Sequence, residues 1–203
     1  MITVALSKGR LFKDFIKFLE ARELTDYAQA LKEDGRYLFR TVGKVKFIFA
    51  KGSDVPTYVE QGIADLGIVG LDTITENSFN VLNVSQLPFG NCRLAIAGPK
   101  HLDESNIKVV ATSFTNISQH YFNQQRQDVR LIHLNGSVEL APILGLADAI
   151  VDIVQTGTTL KENDLREYHT IMTLHARLIA NKQAFYLKES DVYQFMQEIG
   201  VIE

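Results

Sequence analysis

ELAPILGLADAIVDIVQTGTTL, from Glu139 to Leu160, decides how the rest of the chain is read. Apolar Ala149-Ile150-Val151 meets a single acid at Asp152, passes Ile153-Val154, and breaks into Gln155-Thr156-Gly157-Thr158-Thr159 before a stretch of helical character. The pattern is a strand, a hydroxyl-rich turn and a helix start. Such a turn leaves backbone N–H groups unpaired at the positive end of a helix dipole, where a phosphate fits. The hydroxyls of Thr156, Thr158 and Thr159 add donors, and Gly157 permits a positive φ or a close approach. Asp152, just upstream, would serve a sugar diol or a metal carried by a polyphosphate. The same residues equally suit a strand followed by a threonine-capped helix.

Outward from this segment, short apolar runs alternate with stretches of helical period, the mark of an α/β protein. Ile2–Leu6 is predicted as a strand, Ser7–Arg10 as a turn, and Leu11 to about Leu31 as one amphipathic helix with Phe12, Phe15, Ile16 and Leu19 on one face. Strands are expected over Tyr37–Val42, Lys46–Ala50, Asp65–Gly70, Leu94–Ala97, Lys108–Ala111 and Val129–Leu134. Helices are expected from Thr115 to Gln127, from Val138 to Leu146, and after Asp54-Val55-Pro56, with Asp54 as cap and proline in the first turn. Without a Pro/Gly/Ser-rich linker, two domains would be joined by strands. Turn-like residues near Phe89–Arg93 and Arg177–Ile179 place the crossings there, giving a discontinuous domain I, 1–90 plus 178–203, and a domain II, 91–177. A double crossing makes a hinged cleft.

Composition narrows the classes. A net charge of −3 argues against a general nucleic-acid surface. The single cysteine, Cys92, cannot form an internal disulfide, and with no Cys/His cluster a structural zinc site is not expected. No stretch reaches the roughly 20 apolar residues of a membrane span, and the N-terminus lacks the pattern of a signal peptide. The expectation is a soluble, cytoplasmic protein with no nucleic-acid or membrane partner.

Three further groups carry chemistry. Ser7-Lys8-Gly9-Arg10 sets two cations at the end of the first strand, where α/β proteins gather ligands, though without Walker A spacing. Asp65-Leu66-Gly67-Ile68-Val69-Gly70 pairs an acid with glycines that would let a ligand ring approach the backbone; ordinary strand packing accounts for it as well. Arg36, Arg40 and Lys51 flank the early strands, where solvated side chains are the plainer reading of each. Glu139 would join Asp152 or sit in a helix first turn. His133, His169 and His175 have no nucleophile signature nearby and read as structural or surface residues.

Together these pieces resemble the short form of the ATP phosphoribosyltransferase family. The match runs through Glu139, Gly145, Ala147, Ile150, Asp152, Ile153, Thr156, Gly157, Thr159 and Leu160, and through Ala5–Leu11, Ser53–Glu60 and Ala64–Gly70. The resemblance implies two α/β domains around a cleft, similar to type II periplasmic-binding proteins, with no C-terminal regulatory domain. It implies that N1 of ATP attacks the anomeric carbon of phosphoribosyl pyrophosphate with inversion, releasing pyrophosphate, in the first step of histidine biosynthesis. Mg2+ on the phosphates would assist, held mainly by substrate rather than by protein ligands.

Carried onto this chain, the resemblance puts the 5-phosphate on Thr156, Gly157, Thr158 and Thr159 and the ribose hydroxyls on Asp152 and Glu139. ATP would meet Ser7, Lys8 and Arg10, with Asp65 and Gly67 nearby. Arg36 would face the leaving group as a catalytic residue. Lys51 stands where many family members have arginine and supplies charge without the bidentate fork. A regulatory subunit similar to histidyl-tRNA synthetase, in a hetero-octamer, is implied as partner and as the route of histidine feedback.

Two other readings fit parts of the pattern. A Rossmann-like phosphoribosyltransferase also places Thr-Gly after a strand, but usually with paired acids where this chain has only Asp152. A cytoplasmic anion-binding module of the same two-domain fold would bind without turnover.

Overall fold

A computed structural model describes residues 1–32 and 37–202. Two compact units emerge from the pattern of contacts: unit 1 comprises Met1–Ile74, Ser78–Gly90 and His175–Glu203, and unit 2 comprises Thr75–Asn77 and Asn91–Leu174. The second crossing thus falls at 174/175, a few residues before the expected 177/178. The strand ahead of it pairs within unit 2 as far as Leu174, and the next begins at Ala176 in unit 1.

Unit 1 carries β1 (Ile2–Ser7), α1 (Arg10–Glu20), α2 (Thr25–Lys32), β2 (Phe39–Val42), β3 (Val45–Ala50), α3 (Val55–Glu60), β4 (Leu66–Gly70) and β5 (Leu82–Gln86), with α4 (Leu71–Glu76) leading out of it. Unit 2 carries β6 (Cys92–Pro99), β7 (Val109–Thr112), α5 (Thr115–Gln124), β8 (Arg130–His133), α6 (Leu140–Ile143), β9 (Ala149–Val154), α7 (Thr158–Glu162) and β10 (Leu165–Leu174). The chain then returns to unit 1 as β11 (Ala176–Ala180), α8 (Lys182–Leu187) and α9 (Glu189–Glu198).

The sheet of unit 1 has the order β2-β3-β1-β4-β11-β5, and that of unit 2 the order β10-β6-β9-β7-β8. β1 is parallel to both β3 and β4, so successive crossovers leave it in opposite directions; β7 holds the same place between β8 and β9. A reversal of this kind opens a crevice at the carboxyl ends of the parallel strands, and ligands of α/β sheets collect there.

Burial on both faces explains the near-continuous apolar runs of β1, β4, β6 and β9. One face of unit 1 packs Val4, Leu6 and Phe47 against Phe15, Leu19 and Phe195; the other packs Ala5, Val69 and Ile179 against Val55 and Val59. Phe15 is fully buried, a side chain whose removal from water is worth about 1.5–3 kcal/mol. In unit 2, Ala95, Ala111, Ile150 and Val154 meet Val138, Ala141 and Leu160.

Three expected elements differ. The single helix from Leu11 to Leu31 is two helices, because the chain turns at Glu23 with φ 60°, in the left-handed region. The expected helix over Val138–Leu146 shrinks to Leu140–Ile143, which contains Pro142 and gives way to Gly145 at φ 73°. Asp54 precedes α3 without capping it; its carboxylate instead accepts from Ser53 Oγ at 2.8 Å, while Pro56 does stand in the first turn.

Candidate functional site

In unit 2, β9 delivers the threonine turn to the edge of its sheet. Gly157 has φ 77° and ψ 10°, the left-handed conformation, which is one of the two uses its sequence position left open. Thr156 Oγ1 and Thr158 Oγ1 lie 2.9 Å apart across it. Behind the turn a cavity of about 360 Å³ is lined by Thr156, Gly157, Thr158 and Thr159 together with Asp152, Glu139, Ala95 and Ala97. The two alanines leave room in front of Asp152 on the neighbouring β6, where Ala95 is its register partner.

Asp152 is the electrostatically perturbed acid of the pair. Burial pushes the Asp152 carboxyl above its ordinary range, the Ile153 backbone hydrogen bond opposes this, and the charge of Glu139 adds to the upward shift. An ionised carboxylate here is costly without a ligand and well placed to accept hydroxyl hydrogens. The pair also offers the one or two carboxylates that magnesium uses when phosphates complete its shell. Among the described residues no three His, Cys, Asp or Glu side chains gather as a metal-binding group.

One supporting residue was not anticipated. Arg93 on β6 donates from Nε and Nη2 to the Glu167 carboxylate at 2.9 and 2.6 Å, and from Nη1 to the carbonyl of Gln155 at 3.2 Å. Gln155 opens the threonine turn, so the ion pair fixes the turn's first carbonyl. The guanidinium holds the Glu167 carboxyl below its usual range. The signal lay in antiparallel register, Arg93 opposite Val154, which the sequence does not display.

In unit 1, the Ser7–Arg10 turn follows β1 at the carboxyl edge. Ser7 is buried, Lys8 and Gly9 are exposed and Arg10 is half-buried. Lys51 is exposed at the end of β3, and a Cβ on the adjoining Gly52 would stand 3.5 Å from Ser7 Cβ, so the two turns are neighbours. Lys8 Nζ lies 5.5 Å from the centre of the Phe49 ring. It borders a cavity of about 520 Å³ lined by Phe12, Ile16, Leu31 and Phe49 together with Lys13, Lys17, Glu20 and Arg40. Arg36 lies outside the described residues.

Asp65 and Gly67 stand elsewhere than a ligand platform requires. Asp65 precedes β4, at the edge opposite Ser7, and is 4% exposed. It accepts the Thr3 N–H at 2.7 Å and Lys188 Nζ at 2.8 and 3.0 Å, which accounts for a buried charge as a packing feature. A Cβ on Gly67 would fall 2.8 Å from Val59 Cγ2 and 2.9 Å from Val55 Cγ1, so the glycine admits core side chains. The acid at the carboxyl edge of β4 is instead Asp72. His169 pairs with Glu104 at 2.6 Å. Burial, with the Arg177 charge, holds the His175 ring below its usual pKa.

Residues 51–200 match the family model described as HisG: ATP phosphoribosyltransferase. A protein of Staphylococcus carnosus (strain TM300) named ATP phosphoribosyltransferase is 50% identical over 202 residues, covering 99% of this chain and 98% of its own. One of Staphylococcus aureus (strain MRSA252), with the same name, is 46% identical over 201 residues, with 99% and 98% covered. Among solved structures, the ATP phosphoribosyl transferase (HisG:HisZ) complex from Thermotoga maritima is similar at TM-score 0.81 and 33% identity, covering 98% of this chain and 96% of that one. The periplasmic aliphatic sulphonate binding protein SsuA from Escherichia coli is similar in fold, with TM-score 0.66, 11% identity, and 98% and 70% covered.

Proposed function

The chain belongs to the ATP phosphoribosyltransferase family and condenses ATP with phosphoribosyl pyrophosphate to phosphoribosyl-ATP and pyrophosphate, the first step of histidine biosynthesis; we propose that each unit holds one substrate at its own sheet edge. The observation that carries the donor assignment is the single cavity shared by the threonine turn, Asp152 and Glu139. The turn's hydroxyls and N–H groups take the 5-phosphate, and the two carboxylates take the ribose hydroxyls. Ser7, Lys8 and Arg10 take the polyphosphate of ATP.

The lone pair of adenine N1 forms the new bond to the anomeric carbon as the bond to pyrophosphate breaks and its electron pair leaves with that group. No protein nucleophile is required, so rate comes from holding the reacting atoms in line and from countering charge on the leaving group. Lys51 contributes such charge, and the resemblance assigns Arg36 to the same leaving group. Magnesium, when bound on the phosphates beside Asp152 and Glu139, supplies further neutralisation.

The likeness to the Thermotoga maritima HisG:HisZ complex supports a regulatory partner subunit in a hetero-oligomer. That this partner is similar to histidyl-tRNA synthetase, that the assembly is a hetero-octamer and that histidine feedback acts through it are what the family resemblance adds. The proposed setting is the cytoplasm. Among the described residues no helix is long and apolar enough to cross a membrane.

Calorimetric titration of Thr159→Ala tests the placement of the two substrates. Phosphoribosyl pyrophosphate should bind about tenfold more weakly, the worth of a charge-assisted hydrogen bond, with ATP binding unchanged. The opposite pattern overturns the assignment.

A further inference from the structure

The carboxyl edge of β4 holds an acid that the donor chemistry does not use. β4 ends at Gly70, and Asp72 follows at the reversal beside β1, on the edge that also carries Ser7–Arg10. A Cβ at Gly70 would fall 2.1 Å from Asp72 Oδ1, so the carboxylate lies back over the strand end in space only a glycine leaves open. Thr73 Oγ1 stands 3.5 Å from its other oxygen, and the Leu71 N–H donates to the His175 carbonyl at 3.0 Å, which pins the turn. Burial pushes the carboxyl above its ordinary range, with backbone N–H groups, Thr73 and the charge of Arg10 pulling the other way.

Unit 2 offers a geometric parallel. There an acid near a strand end, Asp152, lines one cavity with the Thr156–Thr159 turn, where the proposed function places a sugar phosphate. In unit 1, Asp72 and Arg10 stand in the same relation, an acceptor of hydroxyl hydrogens beside a donor to phosphate. The ribose is the part of a nucleotide that lies next to its phosphates.

We propose that Asp72 reads the ribose of ATP, its carboxylate accepting hydrogen bonds from the 2′- and 3′-hydroxyls while Arg10 takes the adjoining phosphates. The proposal rests on the placement of ATP at Ser7–Arg10. It makes Asp72 a determinant of which nucleotide is accepted, selecting ribonucleotides against their deoxy counterparts.

The test compares ATP, 2′-deoxy-ATP and 3′-deoxy-ATP as acceptors for the wild type and Asp72→Asn, with the regulatory subunit and magnesium present. In the wild type each deoxynucleotide should lose about tenfold or more in kcat/KM, a hydrogen bond to a charged group. In Asp72→Asn, ATP should fall toward the deoxynucleotide level, and removal of a hydroxyl should then cost less than about threefold. The KM for phosphoribosyl pyrophosphate should stay within about twofold of the wild type.

A deoxynucleotide penalty that persists undiminished in the variant overturns the proposal, as does a wild type indifferent to all three nucleotides. Indifference of the wild type overturns the proposal even where the variant does not fold. Lys8→Met separates the two layers of inference. A raised KM for ATP in Lys8→Met, with no coupling between Asp72 and the hydroxyls, sinks the role of Asp72 and leaves the site of ATP standing. An unchanged KM for ATP in Lys8→Met sinks the site as well.

Discussion

Gly157→Ala isolates what a single left-handed residue does for the donor turn. The glycine sits at φ 77°, and the nearest atom a Cβ would meet is Val154 Cγ1 at 3.9 Å, an ordinary contact. Alanine therefore brings no steric clash, and its whole cost is the left-handed backbone, roughly 1–2 kcal/mol for a residue with a Cβ. That cost has two places to appear. If the turn stays left-handed without ligand, it lowers stability, by about 2–4 °C in Tm per kcal/mol for a chain of this size. If the free turn relaxes, stability is spared and phosphoribosyl pyrophosphate binds roughly 5- to 30-fold more weakly. The two losses together should total about 1–2 kcal/mol. Thermal unfolding and calorimetric titration on the same preparation measure both. A total near zero, or above about 3 kcal/mol, would refute the view that backbone conformation alone requires glycine here.

The same substitution at Gly67 should act for the opposite reason. Its Cβ would press against Val55 and Val59, so Gly67→Ala is expected to lower stability by about 1–3 kcal/mol while leaving the KM of both substrates unchanged. A raised KM for ATP at intact stability would return Gly67 to the nucleotide site. Asp152→Asn should stabilise the unliganded protein at neutral pH. The folded state holds this proton more readily than the unfolded chain does. Ionised Asp152 therefore subtracts from stability as pH rises from the ordinary carboxylate range through the raised folded value. The variant should show a higher Tm, a flatter pH dependence of stability and weaker donor binding. A lower Tm at pH 7 would contradict the burial argument. In the wild type, donor binding should weaken as pH falls through the same window, because a protonated carboxyl loses an acceptor oxygen.

Where local chemistry and fold agree, the sequence is legible. β1 and β9 are apolar runs largely buried on both sides, and each ends in a turn whose residues announce it. The proposed donor half of the site is legible because Asp152, Gly157 and the threonines lie close together along one strand and its turn. β10 was missed because its polar-rich sequence breaks alternation at two irregularities, between Glu167 and His169 and between Thr170 and Met172. The acceptor half depends on register between strands. Nothing in Asp65–Asp72 says that its first acid faces one edge of the sheet and its last acid the other; that follows only once Leu66 is paired with Val4 and Ile68 with Leu6. Arg93 and Glu167 lie 74 residues apart and meet across β6 and β10. No periodicity carries such a pair.

The place of β11 in the sheet also sets an order of events on the ribosome. β11 lies between β4 and β5, so the larger sheet stays divided until the polypeptide has been made as far as Ala180. At ordinary speeds of translation, β4 waits roughly 5–20 s with one margin unpaired. During that wait the whole of Asn91–Leu174 emerges. The later-made unit is thus the first able to finish folding, against the usual N-terminal precedence. Until β11 arrives, the margin of Leu66–Gly70 is an apolar strand edge open to the wrong neighbour, and nascent-chain chaperones would find their surface there.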